Sequence, residues 1–134
     1  MAATYLLDTN ILSAMMRGDP RLLNRVAGLA ANRLPLSAFV LAEIHAGAEM
    51  GTRKAQTLAA FRELTADMPL LPFDAGDAAV FGRIRGALER KNAAVGTMDM
   101  LIASQAVARG LVLVTDNVKD FKRVPGLTIE NWLR

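Results

Sequence analysis

At 134 residues, 52% hydrophobic and with a net charge of +3 at pH 7, the chain is sized for one domain, residues 1–134, around a single buried core, and it is too apolar to be disordered. It has no cysteine and one histidine, His45, which excludes disulfides, thiolate zinc sites, cysteine nucleophiles and any mechanism that needs two histidines. Its chemistry must run on carboxylates, hydroxyls or amines.

The start, Met1 to Asp8, has no basic segment and reaches an acid before a hydrophobic signal could form, so no secretory leader is expected and a cytoplasmic location follows. Thr4 to Leu7 reads as a strand, Asn10 to Arg17 as a short helix, and Gly18-Asp19-Pro20 as a turn into a helix from Arg21 to about Ala31. Leu34 to Ser37 is a short strand whose serine caps a helix over Phe39 to Met50, broken by Gly51-Thr52. Arg53 to Asp67 reads as a further amphipathic helix, Leu70 to Phe73 as a strand between prolines, and Asp74 to Asp77 as the acidic start of a helix reaching Lys91. After a loop over Asn92 to Gly96, Thr97 is the expected N-cap of a helix that Gly110 stops at Arg109. Leu111 to Thr115 is the clearest strand, and another is expected at Leu127 to Ile129.

The most apolar stretch, Leu101 to Val114, is interrupted by Ser104, Gln105, Arg109 and Gly110, short of the roughly 18 uninterrupted apolar residues of a membrane span. No membrane association is expected. Strands alternating with helices predict a three-layer α/β/α domain with a mostly parallel central sheet of four to five strands.

Four acids sit against this apolar framework: Asp8 after Tyr5-Leu6-Leu7, Glu43 within Phe39 to Ile44, Asp99 within Met98 to Ile102, and Asp116 after Leu111 to Thr115. Burying one unpaired carboxylate costs several kcal/mol, roughly, so four placed this way call for a shared cation. Ligand sites of open α/β sheets lie beyond the carboxyl ends of the strands, where Asp8 and Asp116 fall. Asp99 shares a stripe with Ile102, Ala103 and Ala106 near the start of its helix, and Glu43 has Phe39, Val40 and Ala46 around it, so both are expected to face the same cleft.

Oxygen-only donors favour Mg²⁺ or Mn²⁺, and such ions on carboxylates hydrolyse phosphodiesters by activating water and stabilising the leaving oxygen. Setting these four aside leaves nine acids against sixteen bases, an excess of seven. A basic exterior around an acidic centre suits a nucleic-acid substrate.

Taken together, Leu7-Asp8-Thr9-Asn10-Ile11-Leu12-Ser13, Ala42-Glu43-Ile44-His45-Ala46-Gly47, Val95 to Ala103 around Asp99, and Leu113-Val114-Thr115-Asp116-Asn117 resemble, in order and spacing, the four motifs of PIN-domain ribonucleases of the VapC toxin type. The ending Phe121 to Leu127 followed by Glu130-Asn131-Trp132 is similar to their C-terminal signature. The resemblance implies a PIN-like nuclease domain with Asp8, Glu43, Asp99 and Asp116 as catalytic, metal-binding acids and Thr9, Asn10, Thr115 and Asn117 supporting them. It further implies an endoribonuclease toxin with Mg²⁺ or Mn²⁺ as cofactor, an RNA substrate, a VapB-like antitoxin partner and a homodimer. Many relatives carry asparagine where this chain has Asp116, which makes that residue the least essential of the four.

Each acid also has a plainer reading. Asp8 could only cap the following helix, Asp116-Asn117 only form a turn, and Asp99 only favour a helix start; Glu43 on an apolar helical face has no such structural role. His45, two positions from Glu43, belongs to another helical face. Met15, Met16, Met98 and Met100 read as packing, and Trp132 as an anchor for the C-terminal segment. Two other functions compete. A phosphoacceptor receiver-like domain would need an acceptor aspartate ending its central strand and a lysine ending a later one, which this chain lacks. A non-catalytic RNA-binding or antitoxin-docking module would not need Asp8, Glu43 and Asp99 intact.

Overall fold

Proline, glycine and short polar side chains set most element boundaries in the computed structural model, which describes residues 2–134. Strand β1 (Tyr5–Leu7) enters helix α1 (Thr9–Met16) through Asp8, whose backbone is extended and whose carboxylate accepts the Thr9 N–H at 2.9 Å. Gly18, at φ 85°, turns the chain. Asp19 then caps α2 (Pro20–Ala27), with Pro20 at the helix start, where a missing N–H costs nothing. The expected continuation to Ala31 fails: α2 ends at Gly28, and Ala31–Arg33 form a separate 3-10 turn. Glycine resists helical confinement, and Pro35 forces the chain to extend soon after.

Ser37 ends β2 (Leu36–Ser37), and its hydroxyl accepts the N–H groups of Phe39 and Val40 to start α3 (Ala38–Met50). Helix α4 (Lys54–Thr65) leads to β3 (Leu70–Leu71). This strand stops before Phe73 because Pro72 has no N–H to donate. Asp74 and Asp77 form a reciprocal capping box at the start of α5 (Ala75–Arg90). Helix α6 (Thr97–Arg109) is preceded by Gly96, and no side chain caps it, so Thr97 is its first residue rather than the expected cap. Gly110, at φ 67°, ends it in the left-handed conformation. After β4 (Val112–Val114) comes α7 (Val118–Phe121), a single turn for which the sequence reading named no element, and then β5 (Thr128–Glu130).

Every paired strand runs parallel to its neighbour, as expected of α/β connections, but the strands are hydrogen-bonded as three and two. The order β1-β4-β5 pairs Leu7 with Val114 and Val114 with Glu130, while β2 and β3 pair Leu36 with Leu70. β2 lies beside β1 without a ladder between them. Pro35, Pro69 and Pro72 flank the two-residue strands and leave few donors to extend them. Successive residues Leu6, Leu7, Leu113 and Val114 are all buried; because neighbours in a strand point to opposite faces, the central strands are covered on both sides.

Gln105, fully buried in α6, accepts the Ser37 hydroxyl at 2.5 Å and donates to the carbonyls of Leu71 and Pro72 at 3.1 and 3.2 Å. One amide thus fastens α6 to both short strands. Arg109 does the same for α5, pairing with the buried Asp77 at 2.9 Å. Among the described residues no helix is long and apolar enough to cross a membrane.

Candidate active site

The parallel pairing of β1 and β4 brings their carboxyl ends side by side, and the Asp8 N–H continues the ladder onto the Val114 carbonyl at 2.9 Å. Asp8 is only 5% exposed. The buried Thr115 hydroxyl donates to one of its oxygens at 2.8 Å, and the Asn10 amide lies 3.4 Å from both that oxygen and the Thr115 hydroxyl. Thr115 itself is held by its N–H on the Glu130 carbonyl and accepts the Asn117 N–H at 3.0 Å.

Glu43 reaches this cluster from α3. The Thr9 hydroxyl donates to it at 2.5 Å, a short bond of the charge-assisted kind. Asp99, third in α6, accepts the Asn117 amide at 3.4 Å, and the same amide donates to Asp120 at 3.3 Å. Arg123 donates to the Ala94 carbonyl at 2.8 Å, fastening the loop ahead of Asp99 to the segment behind α7.

Electrostatics join these acids more firmly than bond distances do. Burial pushes the Asp8 carboxyl up, opposed by the hydrogen bonds of Thr115 and Thr9 and reinforced by the Glu43 charge. Burial, then the charges of Asp8, Glu43 and Asp120, lift Asp99 to about 6. No lysine or arginine forms an ion pair with Asp8, Glu43, Asp99 or Asp120 among the described residues. Like charges gathered without a counter-charge favour protonation or a cation. The donor set, carboxylate and hydroxyl oxygen, has the chemistry of a hard divalent ion. The spacing is open, and no three acids or histidines among the described residues stand close enough to chelate one ion as they are placed.

Asp116 does not join them. It is exposed, and its carboxylate accepts the Asn131 amide at 3.0 Å and lies 3.4 Å from the Arg134 guanidinium. These two partners, Asn131 first, hold its carboxyl below the usual range. Only its backbone N–H enters the network, donating to the Asn10 side chain at 3.3 Å. Against the expectation that four acids face one cleft, the Asp116 carboxylate turns toward the C-terminal segment, to Asn131 and Arg134, because the residue after Thr115 points that way.

Asp120 is the acid that sequence reading missed. The signal was present: Asn117, Asp120 and Phe121 have helical spacing, which puts Asp120 on the face of Asn117 while Phe121 is buried. His45 is exposed, as its place in α3 required. Trp132 anchors the C-terminal segment, packing edge-on against Tyr5 with Arg25 lying 4.5 Å over its ring.

Asp8, beyond the carboxyl end of a parallel strand, stands where open α/β sheets bind their ligands, with Glu43 and Asp99 on flanking helices. The PIN domain profile matches residues 5–127, and the chain belongs to the PIN-domain family. It is 36% identical over 130 residues to the ribonuclease VapC2 of Rickettsia felis, with 96% of this chain and 97% of the relative covered. It is 34% identical over 128 residues to the tRNA(fMet)-specific endonuclease VapC of Salmonella typhimurium, covering 96% and 97%. Among solved structures it is similar to VapBC2 from Rickettsia felis bound to a DNA fragment from their promoter, with 33% identity, a TM-score of 0.90, and 96% of this chain and 98% of that one covered.

Proposed function

We propose that this protein is a metal-dependent endoribonuclease, the toxin of a toxin–antitoxin pair, with Asp8, Glu43 and Asp99 as its metal-binding acids. The observation that carries the reading is that these acids lie partly or wholly buried without a basic partner among the described residues, Asp8 at the end of β1 and Glu43 and Asp99 on flanking helices, with Asp99 raised to about 6 by burial and then by the charges of Asp8, Glu43 and Asp120. Full-length similarity to VapC ribonucleases supports the RNA substrate, and similarity to VapBC complexes supports an antitoxin partner.

A Mg²⁺ or Mn²⁺ ion held there would supply a Lewis acid for the phosphodiester and a means of lowering the pKa of water at neutral pH. The protein's own part is to aim the acids. Thr115 and Asn10 orient Asp8, Thr9 orients Glu43, and Asn117 sets Asp99 against Asp120. Glu43 and Asp99 are partly exposed. Asp116 stands at the rim, where its backbone N–H steadies Asn10.

Cellular RNA incubated with purified protein and Mg²⁺ or Mn²⁺ should be cut, with 5′ ends that map the target. Asp99→Asn and Glu43→Gln should each lose about 10²-fold or more of that activity. If the wild type cuts no RNA with either ion, and it and both variants are equally harmless on expression, the reading is wrong.

A further inference from the structure

We infer that the groove between α1, α3 and α4 receives the RNA strand beside the bond being cut, with Arg17 and Arg53 holding its phosphates. This rests on the ribonuclease reading above. The groove has a volume of about 570 Å³, within the range of pockets that take a ligand the size of a nucleotide. Thr9 and Glu43 line one end of it, so it runs directly into the carboxylate cluster. Ile44 and Gly47 of α3 contribute to its lining, and a Cβ added at Gly47 would meet nothing within 4 Å.

Charge decides what kind of strand fits. Arg17, just after α1, and Arg53, just before α4, are exposed on this groove, and neither is in an ion pair among the described residues. Arg21, Arg25, Lys54, Arg85, Arg109 and Arg134 all have acidic partners. Among the described residues Glu43 is the one acid lining the groove. An anionic substrate must approach three carboxylates, and positive charge along the same groove offsets that repulsion. An acidic peptide could meet the same arginines, but it has no phosphodiester to present where the groove ends. The apolar part of the lining can shelter a base or sugar while the phosphates face the guanidinium groups.

The test is anisotropy of a labelled single-stranded RNA in EDTA, titrated across salt, beside steady-state cleavage with Mg²⁺. Each phosphate contact on a single strand contributes about 0.7 to the slope of log affinity on log salt, so Arg17→Gln/Arg53→Gln should lower the slope by about 1.4. KM for cleavage should rise more than kcat falls. Arg62→Gln/Arg83→Gln, which removes equal charge away from the groove, should leave the slope unchanged. Gly47→Leu, which fills the groove without a clash at Cβ, should weaken RNA binding while the melting temperature holds.

A wild type that cuts RNA, with groove variants matching it in slope and KM, overturns the groove assignment alone and leaves the groove to another occupant such as a partner peptide. Equal slope losses in both double variants overturn it as well. A wild type that cuts no RNA removes the ribonuclease reading and this inference with it.

Discussion

At Asp99, burial and the charges of Asp8, Glu43 and Asp120 raise the carboxyl to about 6, whereas at Asp116 the Asn131 amide and the Arg134 guanidinium lower it. The two therefore act on stability with opposite sign. A carboxyl that binds its proton more tightly when folded favours the fold below its unfolded value of 3.8 and loses that contribution as pH rises through about 6. Denaturant unfolding in EDTA should show stability falling across that window, with Asp99→Asn flattening the fall. Asp116 contributes above its unfolded value of 3.8, and that contribution is lost as pH drops through its lowered value. Asp116→Asn should keep nearly wild-type cleavage, since an amide oxygen can still accept from Asn131. Asp120→Asn should weaken metal affinity by about 10- to 100-fold, the usual effect of removing a partner that tunes a ligand, as measured by calorimetry.

At the level of elements, the site depends on how strand ends are tied. Thr115 is wholly buried and links β1, β5 and α7 through Asp8, the Glu130 carbonyl and Asn117. Thr115→Val keeps the shape and removes the hydroxyl, leaving Asp8 with less to favour its ionised form. Its metal affinity should drop by about 10- to 100-fold while secondary structure by circular dichroism is unchanged. Gln105→Leu would strip the Leu71 and Pro72 carbonyls and the Ser37 hydroxyl of a buried partner. Orphaned buried groups cost about 1–3 kcal/mol each, so urea denaturation should show a loss of at least about 2 kcal/mol. The capping residues Asp8, Ser37 and Asp74 were legible because a cap is a local device. The partners of Gln105 were not, since they lie 33 to 68 positions away.

For the whole molecule, binding of a divalent ion by the folded state alone should stabilise it, by about 2.7 kcal/mol when the ion is at a hundred times its dissociation constant. Thermal melts in Mg²⁺ or Mn²⁺ against EDTA should show the shift, and Asp99→Asn should remove it. Element order, the parallel α/β architecture and the apolar settings of Asp8, Glu43 and Asp99 followed from the sequence, because periodicity, breakers and caps act over a few residues. Tertiary structure decided the rest. It split the strands into three and two, turned Asp116 outward to Asn131, and brought Asp120 beside Asp99. The direction of a side chain at a strand end, and the field that it meets there, depend on chain distant in sequence, whereas local pattern shows only which element it follows.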